Sequence, residues 1–225
     1  MKNIYTLLFV LSISPIVLKA QSNFKRGYIV DLKGDTVKGL VDYREWDNNP
    51  ATVTFKGTGG TGTNYSAENI KAFEVTGFVK FISATLPISQ QQVDVNLTSN
   101  KNADTAAIVK TVFLRNLTSG KVVSLYAYND QIKSRFYVTE GVNKPIQELI
   151  YQIYYDENST LKKITRYKVQ LQYIANQNGA TSVSSQIAGA GYTQTDLVKV
   201  IRAINGSTAD ATTTEAGTKG SRTFI

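Results

Sequence analysis

Apolar and polar residues alternate along much of the N-terminal half of the chain, which is the period of half-buried β-strands. In the segment Thr36–Tyr43, for example, Val37, Val41 and Tyr43 fall on one face of the pleat. The Gly34-Asp35 turn before it predicts a hairpin with the preceding strand. The predicted strands are Gly27–Asp31, Thr36–Tyr43, Thr52–Lys56, Ile70–Val75, Phe78–Ile82, Val112–Leu114, Val122–Tyr128 and Arg135–Val138.

After Pro145 the apolar residues recur at the spacing of a helix. Three stripes follow one another: Ile146, Leu149, Ile150, Ile153 and Tyr154; then Leu161, Ile164, Tyr167, Leu171 and Ile174; then Leu197, Val200, Ile201 and Ile204. Asn-Gly pairs are predicted to end the second and third helices, and the Ser/Ala/Gly-rich stretch 181–191 is predicted to be a mobile connection. Strands followed by helices predict the α+β class, with an antiparallel β-rich N-terminal half and then three helices.

The first twenty residues have the pattern of a secretory signal peptide. Lys2 is followed by an apolar run from Ile4 to Leu18, and Ala20 places a small residue at the expected cleavage point. The run is shorter than the ~20 residues that a membrane-spanning helix needs, and no Cys follows it to carry a lipid. A buried N-terminal helix is the alternative. We therefore expect an exported protein of the periplasm, outer membrane or cell surface that begins at Gln21.

The remaining chain is predicted to form one domain, residues 21–205, followed by a tail. Residues 206–220 consist mainly of Ser, Thr, Ala, Gly and charged residues, the composition of a flexible linker. Residues 221–225 return to β-branched and aromatic character. This change predicts that a membrane β-barrel begins there in a longer protein, the alternative being an ordinary chain terminus.

The composition limits the chemistry that the domain can carry. The chain contains no Cys and no His, so a zinc site would need carboxylates alone and a catalytic triad has no imidazole. No cofactor is predicted. The net charge of +8 is compatible with an anionic envelope polymer as a partner, or simply with solubility. Export argues against nucleic acid as a partner.

Four residues are candidate ligand contacts: Trp46, Lys162, Lys163 and Arg166. Trp46 is the single tryptophan and stands in a turn with three carboxylates, Asp42, Glu45 and Asp47. The three basic residues surround Tyr167 on the second predicted helix. A solvated turn and a solvated basic face are the simpler interpretations.

Two further motifs match known patterns only in their letters. Residues 57–62 read G-x-G-x-x-G, but a nucleotide-binding loop must open a long helix, so a hairpin loop is favoured. Ser159 and Lys162 have Ser-x-x-Lys spacing, which we interpret as the start of a helix. The twelve tyrosines that follow the signal segment suit either a sugar-binding cleft or half-buried structural positions.

Three ordered stretches resemble the domain that follows the signal peptide in a set of poorly characterised Bacteroidetes outer-membrane β-barrel proteins. The stretches are G-Y-I-V-x-x-x-G-D-T with G-L-V-D-Y-R-x-W between 27 and 46, V-F-L-R with S-L-Y between 112 and 126, and I-Q-E-L-I-Y with R-Y-K-x-Q-L between 146 and 171. The resemblance covers roughly Phe24 to Ile204. It implies a role in envelope structure or transport and provides no catalytic residues.

The sequence therefore predicts a non-catalytic cell-envelope domain associated with an outer-membrane β-barrel, with that barrel in cis or other envelope proteins as partners. The alternative is a soluble periplasmic or surface module that binds a glycan or another envelope polymer. An enzyme is the third hypothesis, and it depends on the carboxylate and Ser–Lys patterns.

Overall fold

The computed structural model describes residues 23–96, 103, 106–141 and 144–206. Within them the strands are β1 Phe24–Asp31, β2 Thr36–Asp42, β3 Thr52–Lys56, β4 Thr63–Ser66, β5 Ile70–Val75, β6 Val79–Ser89, β7 Ala107–Thr118, β8 Ser124–Asn129, β9 Ser134–Thr139, β10 Gln147–Glu148, β11 Gln152–Tyr155 and β12 Leu161–Ile164. The α-helices are α1 Arg166–Gln177, α2 Ser184–Gly189 and α3 Gln194–Ile204. None of the described helices is long and apolar enough to cross a membrane.

Ten strands form one antiparallel sheet in the order β10-β9-β8-β7-β6-β5-β1-β2-β3-β4, and β11 and β12 form a separate hairpin. The predicted α+β class is confirmed, with a β-rich N-terminal part and three helices in the C-terminal half. The predicted signal peptide at 1–20, nearly all of the linker at 206–220 and the predicted barrel start at 221–225 lie outside the described residues.

Glycine lets β1 and β2 pass close to their neighbours. A Cβ atom on Gly27 would lie 2.1 Å from the Glu74 carbonyl oxygen of β5, and one on Gly39 would lie 2.2 Å from the Lys56 carbonyl oxygen of β3. The two glycines are also paired across β1 and β2. A side chain at either position would therefore collide with a strand backbone, which explains why glycine stands in the interior of two strands.

The β6–β7 hairpin leaves the sheet where β7 and β8 separate. β6 and β7 pair from Phe81 opposite Arg115 to Ser89 opposite Ala107, but β7 pairs with β8 only from Arg115 onward. Asn49, from the β2–β3 connection, fills the gap: its Nδ2 donates to the Phe113 and Ala127 carbonyls at 2.6 and 2.9 Å. Its Oδ1 accepts from the Asn129 amide at 3.0 Å. One side chain thus satisfies backbone groups that the diverging strands leave unpaired.

The buried apolar residues form three clusters. One lies between the three helices and strands β8 and β9, and includes Leu149, Leu171 and Ile201. A second lines β1–β3, β5 and β6 with aromatic residues such as Phe73 and Phe81. The third joins Leu86 and Ile88 of β6 to Tyr126 and Tyr137 of β8 and β9. This third cluster shows that the end of the β6–β7 hairpin folds back over β8 and β9.

The helix predicted at 146–154 is wrong, because this segment forms β10 and β11 with an extended connection. Its backbone groups bond to other segments: the Leu149 amide donates to the Phe136 carbonyl, and the Gln170 side chain bonds both the Ile150 amide and the Glu148 carbonyl. Leu149 and Ile153 are buried as the pattern predicted. The helical spacing was coincidental, and the many β-branched and aromatic residues here favour strand.

The second predicted helix begins later than expected. Residues 161–164 form β12, and α1 begins at Arg166, after which Tyr167, Leu171 and Ile174 are buried as predicted. Ser159 does not cap this helix. It lies in the β11–β12 turn with a φ of 58°, beside Asp156, whose side chain accepts the Asn158 and Thr160 amides.

The chain after α1 is more regular than its composition predicts. Residues 181–191, predicted as a mobile connection, contain a 3₁₀ turn and α2, and Val183, Ile187 and Ala190 are buried in the core. The third helix is confirmed as α3. Its N-cap is Thr193, whose hydroxyl oxygen accepts the Asp196 amide.

Candidate functional sites

Trp46 lies against the aromatic core. Its ring makes edge contacts with Tyr43 at 5.5 Å and with Phe73 and Phe81 at 5.8 Å between ring centroids. The residue is only partly exposed. These contacts give Trp46 a packing role in the second cluster, and its use as a ligand contact stays a prediction.

The three basic candidates lie on the β12–α1 segment and are exposed. Lys162 forms an ion pair with Asp156 at 3.3 Å, and Lys163 is paired with Ile153 across the hairpin. Arg166 is the first residue of α1. Their described contacts share no residue with those of Trp46, so the structure does not join the four into one site.

Two other sequence patterns, the G-x-G-x-x-G stretch and the carboxylate-rich turn around Trp46, lie next to strands of the large sheet. Residues 57–62 form the connection of the β3–β4 hairpin, so the hairpin-loop interpretation is confirmed. In the carboxylate-rich turn, Asp42 forms an ion pair with Arg44 at 2.7 Å.

A buried polar cluster that the sequence did not predict surrounds Arg135 of β9. The Arg135 side chain is fully buried. Its Nε donates to the Ser89 carbonyl at 2.7 Å, and its Nη1 donates to Asp130 Oδ1 and to the Lys133 carbonyl, both at 3.0 Å. Its Nη2 has no partner among the described residues. A guanidinium in this position ties the end of β6 to the β8–β9 turn.

Lys133 and Glu148 extend this cluster. The Lys133 Nζ lies 4.0 Å from Glu148 Oε1, and the Ser89 hydroxyl donates to the same oxygen at 2.5 Å. The cluster therefore brings together two cations and the two carboxylates of Asp130 and Glu148. Their opposite charges offset much of the cost of burial.

Burial and neighbouring charges shift the pKa values in this cluster. Burial lowers the pKa of Lys133 to about 8, with Glu148 opposing the shift and Arg135 adding to it. Burial raises the pKa of Asp130, but hydrogen bonds from Arg135 and from the Lys133 and Ile132 amides outweigh it, so that pKa is lowered. Asp130 thus stays ionised opposite Arg135, while Lys133 titrates close to neutrality.

We expect Lys133 to make stability rise with pH. The unfolded chain binds more protons than the folded one between the folded pKa of about 8 and the ordinary value of 10.5, so the free energy of unfolding increases with pH in that window. From pH 7.5 to 9.5 the gain should be about 2 kcal/mol. Above pH 10 the trend should reverse, because burial raises the pKa values of Tyr137 and Tyr192.

Urea unfolding of the wild type and of Lys133→Met at several pH values tests this expectation. The variant should lose most of the rise between pH 7.5 and 9.5, and Lys199→Met, which removes an exposed lysine of α3, should keep it. Equal pH profiles for the wild type and Lys133→Met would contradict the assignment.

Three tyrosines pack together beneath the helices. Tyr192 stacks on Tyr151 at 5.0 Å and meets Tyr167 edge-on at 5.1 Å. The Tyr192 hydroxyl donates to the Leu149 carbonyl at 2.7 Å, and the Tyr167 hydroxyl donates to the Ala190 carbonyl at 2.8 Å. The hydroxyls of Tyr167 and Tyr192 are therefore bonded within the fold, which favours the structural interpretation of these two tyrosines.

An open cavity of about 330 Å³ lies between the β5–β6 turn, the end of β7 and α3. Its lining includes the cations Lys80, Arg115 and Arg202 and the carboxylate of Glu74. Glu74 is opposite Lys80 in the β5–β6 register and accepts a hydrogen bond from Tyr28 at 2.7 Å. Three basic side chains thus border a space large enough for a small molecule.

Asn205 fixes α3 beside this cavity. Its Oδ1 accepts the Val122 and Val123 amides at 2.9 and 3.1 Å, and its Nδ2 donates to the Val123 carbonyl at 2.8 Å. Gly120 leaves room for it, since a Cβ there would lie 2.1 Å from the Asn205 side chain. The C-terminal end of α3, which carries Arg202, is thereby held against the β7–β8 connection.

Comparison with known proteins finds no matching family model, no significantly similar curated protein and no significantly similar solved structure. The resemblance to the barrel-associated domains therefore remains a prediction from the sequence.

Proposed function

We propose that the chain is a non-catalytic cell-envelope domain associated with an outer-membrane β-barrel protein. The observation that carries the proposal is the export-type sequence of residues 1–20 ahead of this domain. The linker-like composition of residues 206–220 and the resemblance of residues 24–204 support attachment to a barrel.

The arrangement of the buried polar groups supports a structural role. Arg135, Lys133, Asp130 and Glu148 mainly bond to one another and to the backbone of β6 and of the β8–β9 turn. A catalytic constellation would direct such groups toward a substrate-sized space. The hydroxyls of Tyr167 and Tyr192 likewise bond to backbone carbonyls.

Two measurements test this function. Mass spectrometry of the protein from its native envelope should find a mature N-terminus at Gln21, and a chain that retains residues 1–20 would contradict export. Sequencing the gene past Ile225 should reveal several alternating segments of about ten residues separated by turns. A stop codon directly after Ile225 would contradict the barrel association.

The second candidate function is a binding module for a glycan or another anionic envelope polymer. The cavity bordered by Lys80, Arg115 and Arg202 favours it. This function does not require a barrel in the same chain, so the two candidates can be tested separately.

A further inference from the structure

We propose that the cavity between the β5–β6 turn, β7 and α3 binds an anionic sugar residue, through the carboxylate of a uronic acid or through a sugar phosphate. The inference deepens the second candidate function and is independent of attachment to a barrel. It stands on the position of Arg115, the charges around it and the size and polarity of the cavity.

Arg115 is a half-buried cation without a carboxylate partner among the described residues. β7 places it opposite Phe81 of β6, and burial lowers its pKa. Arg135 differs in this respect, because its buried guanidinium is paired with the Asp130 carboxylate at 3.0 Å. A partly desolvated guanidinium facing a cavity lacks the anion that usually accompanies it.

The surrounding charges also favour an anion. Lys80 and Arg202 border the same space, and Glu74 is the carboxylate among its lining residues. Glu74 already accepts a hydrogen bond from the Tyr28 hydroxyl. Burial and this hydrogen bond raise the pKa of Tyr28 to about 12. Three cations against one carboxylate make the charge of the lining positive, and a cavity concentrates the resulting field more than a flat surface does.

The neutral part of the lining suits a polyhydroxylated molecule. The polar residues Asn116, Thr118, Ser119 and Gln194 also line the cavity, and the Asn116 Nδ2 donates to the Ser119 hydroxyl at 2.7 Å. A volume of about 330 Å³ is at the lower end of the range for small-molecule sites. One sugar ring with a charged substituent therefore fits better than a larger ligand.

The test is an NMR titration of the purified chain with glucuronate, glucose 6-phosphate, glucose and inorganic phosphate, each up to about 20 mM, a range suited to millimolar affinity. Binding of either anionic sugar should shift the amides of Gly77, Lys80 and Asn116, and the tighter of the two identifies the preferred oxyanion. Glucose should bind at least about tenfold more weakly, since it lacks the charge. Equal binding of glucose, no binding of either anionic sugar, or binding as tight by inorganic phosphate would overturn the proposal.

Variants connect the binding to the cavity. Arg115→Gln should weaken binding of the anionic sugar by at least about tenfold, Lys80→Gln by several-fold, and Lys199→Gln on the exposed side of α3 should leave it unchanged. Circular dichroism establishes whether each variant folds. If Arg115→Gln does not fold, the Lys80→Gln variant tests the proposal instead, because Lys80 is exposed and its replacement should not disturb the fold. An unchanged affinity for the anionic sugar in Lys80→Gln would then overturn the proposal. None of these results bears on export or on barrel association.

Discussion

Replacing Arg135 with alanine should lower the free energy of unfolding by about 3–5 kcal/mol, the cost of removing one partner from a buried ion pair. The Asp130 carboxylate would lose its 3.0 Å partner, and the carbonyls of Ser89 and Lys133 would lose their donors. The loss would also leave an empty space, since Arg135 is fully buried. Three segments of the chain would then be joined less firmly.

Urea unfolding of Arg135→Ala and Arg135→Lys measures this effect. The lysine variant should recover only part of the loss, because one ammonium cannot reproduce the two donor nitrogens that reach Ser89 and Asp130. Arg166→Ala is the control, an exposed arginine at the start of α1 whose loss should change stability by less than about 0.5 kcal/mol. A similarly small change in Arg135→Ala would mean that the buried cluster does not stabilise the fold.

Leu171→Ala should cost about 2–4 kcal/mol, the usual range for emptying a buried leucine site. Leu171 is 0% exposed and lies in the cluster between the helices and strands β8 and β9. The cavity left behind would be surrounded by side chains held from several elements, so it could close only in part.

Val169→Ala is the matched control for this substitution, since Val169 lies on the same helix but is 70% exposed. It should change stability by less than about 0.5 kcal/mol. Thermal or urea unfolding of the two variants gives the comparison. A loss below about 0.5 kcal/mol for Leu171→Ala would place the residue outside the core.

The strands could be predicted because their apolar alternation is a local property. The pairing of Thr36–Asp42 with Phe24–Asp31 follows from a short turn between alternating segments. The short strand β4 was missed because Thr63–Ser66 has little apolar character and pairs only through the hairpin with β3. The helix at 146–154 was wrong for a related reason: its hydrogen-bond partners, Phe136 and Gln170, are distant in sequence.

The candidate sites depended even more on distant contacts. Arg135 within an apolar strand was a visible signal of a buried charge, but its partner Ser89 is separated from it by 46 positions. The cavity likewise combines residues from 74 to 202, and no local pattern relates them. By contrast, the basic residues at 162, 163 and 166 are conspicuous in sequence because they are adjacent, and the structure places them at the surface.

The Asn49 bridge between β7 and β8 also bears on the order of folding. Its bonds span 64 to 80 positions, and contacts of such separation form only after the intervening chain is available. On the proposed export route the chain would emerge N-terminus first. The hydrogen bonds of Asn49 could then form only after residue 129 had emerged, although strands β1 to β3 emerge earlier. On that route the chain would remain incompletely folded until more than half of it had crossed, and its exposed apolar strands would be open to aggregation until then.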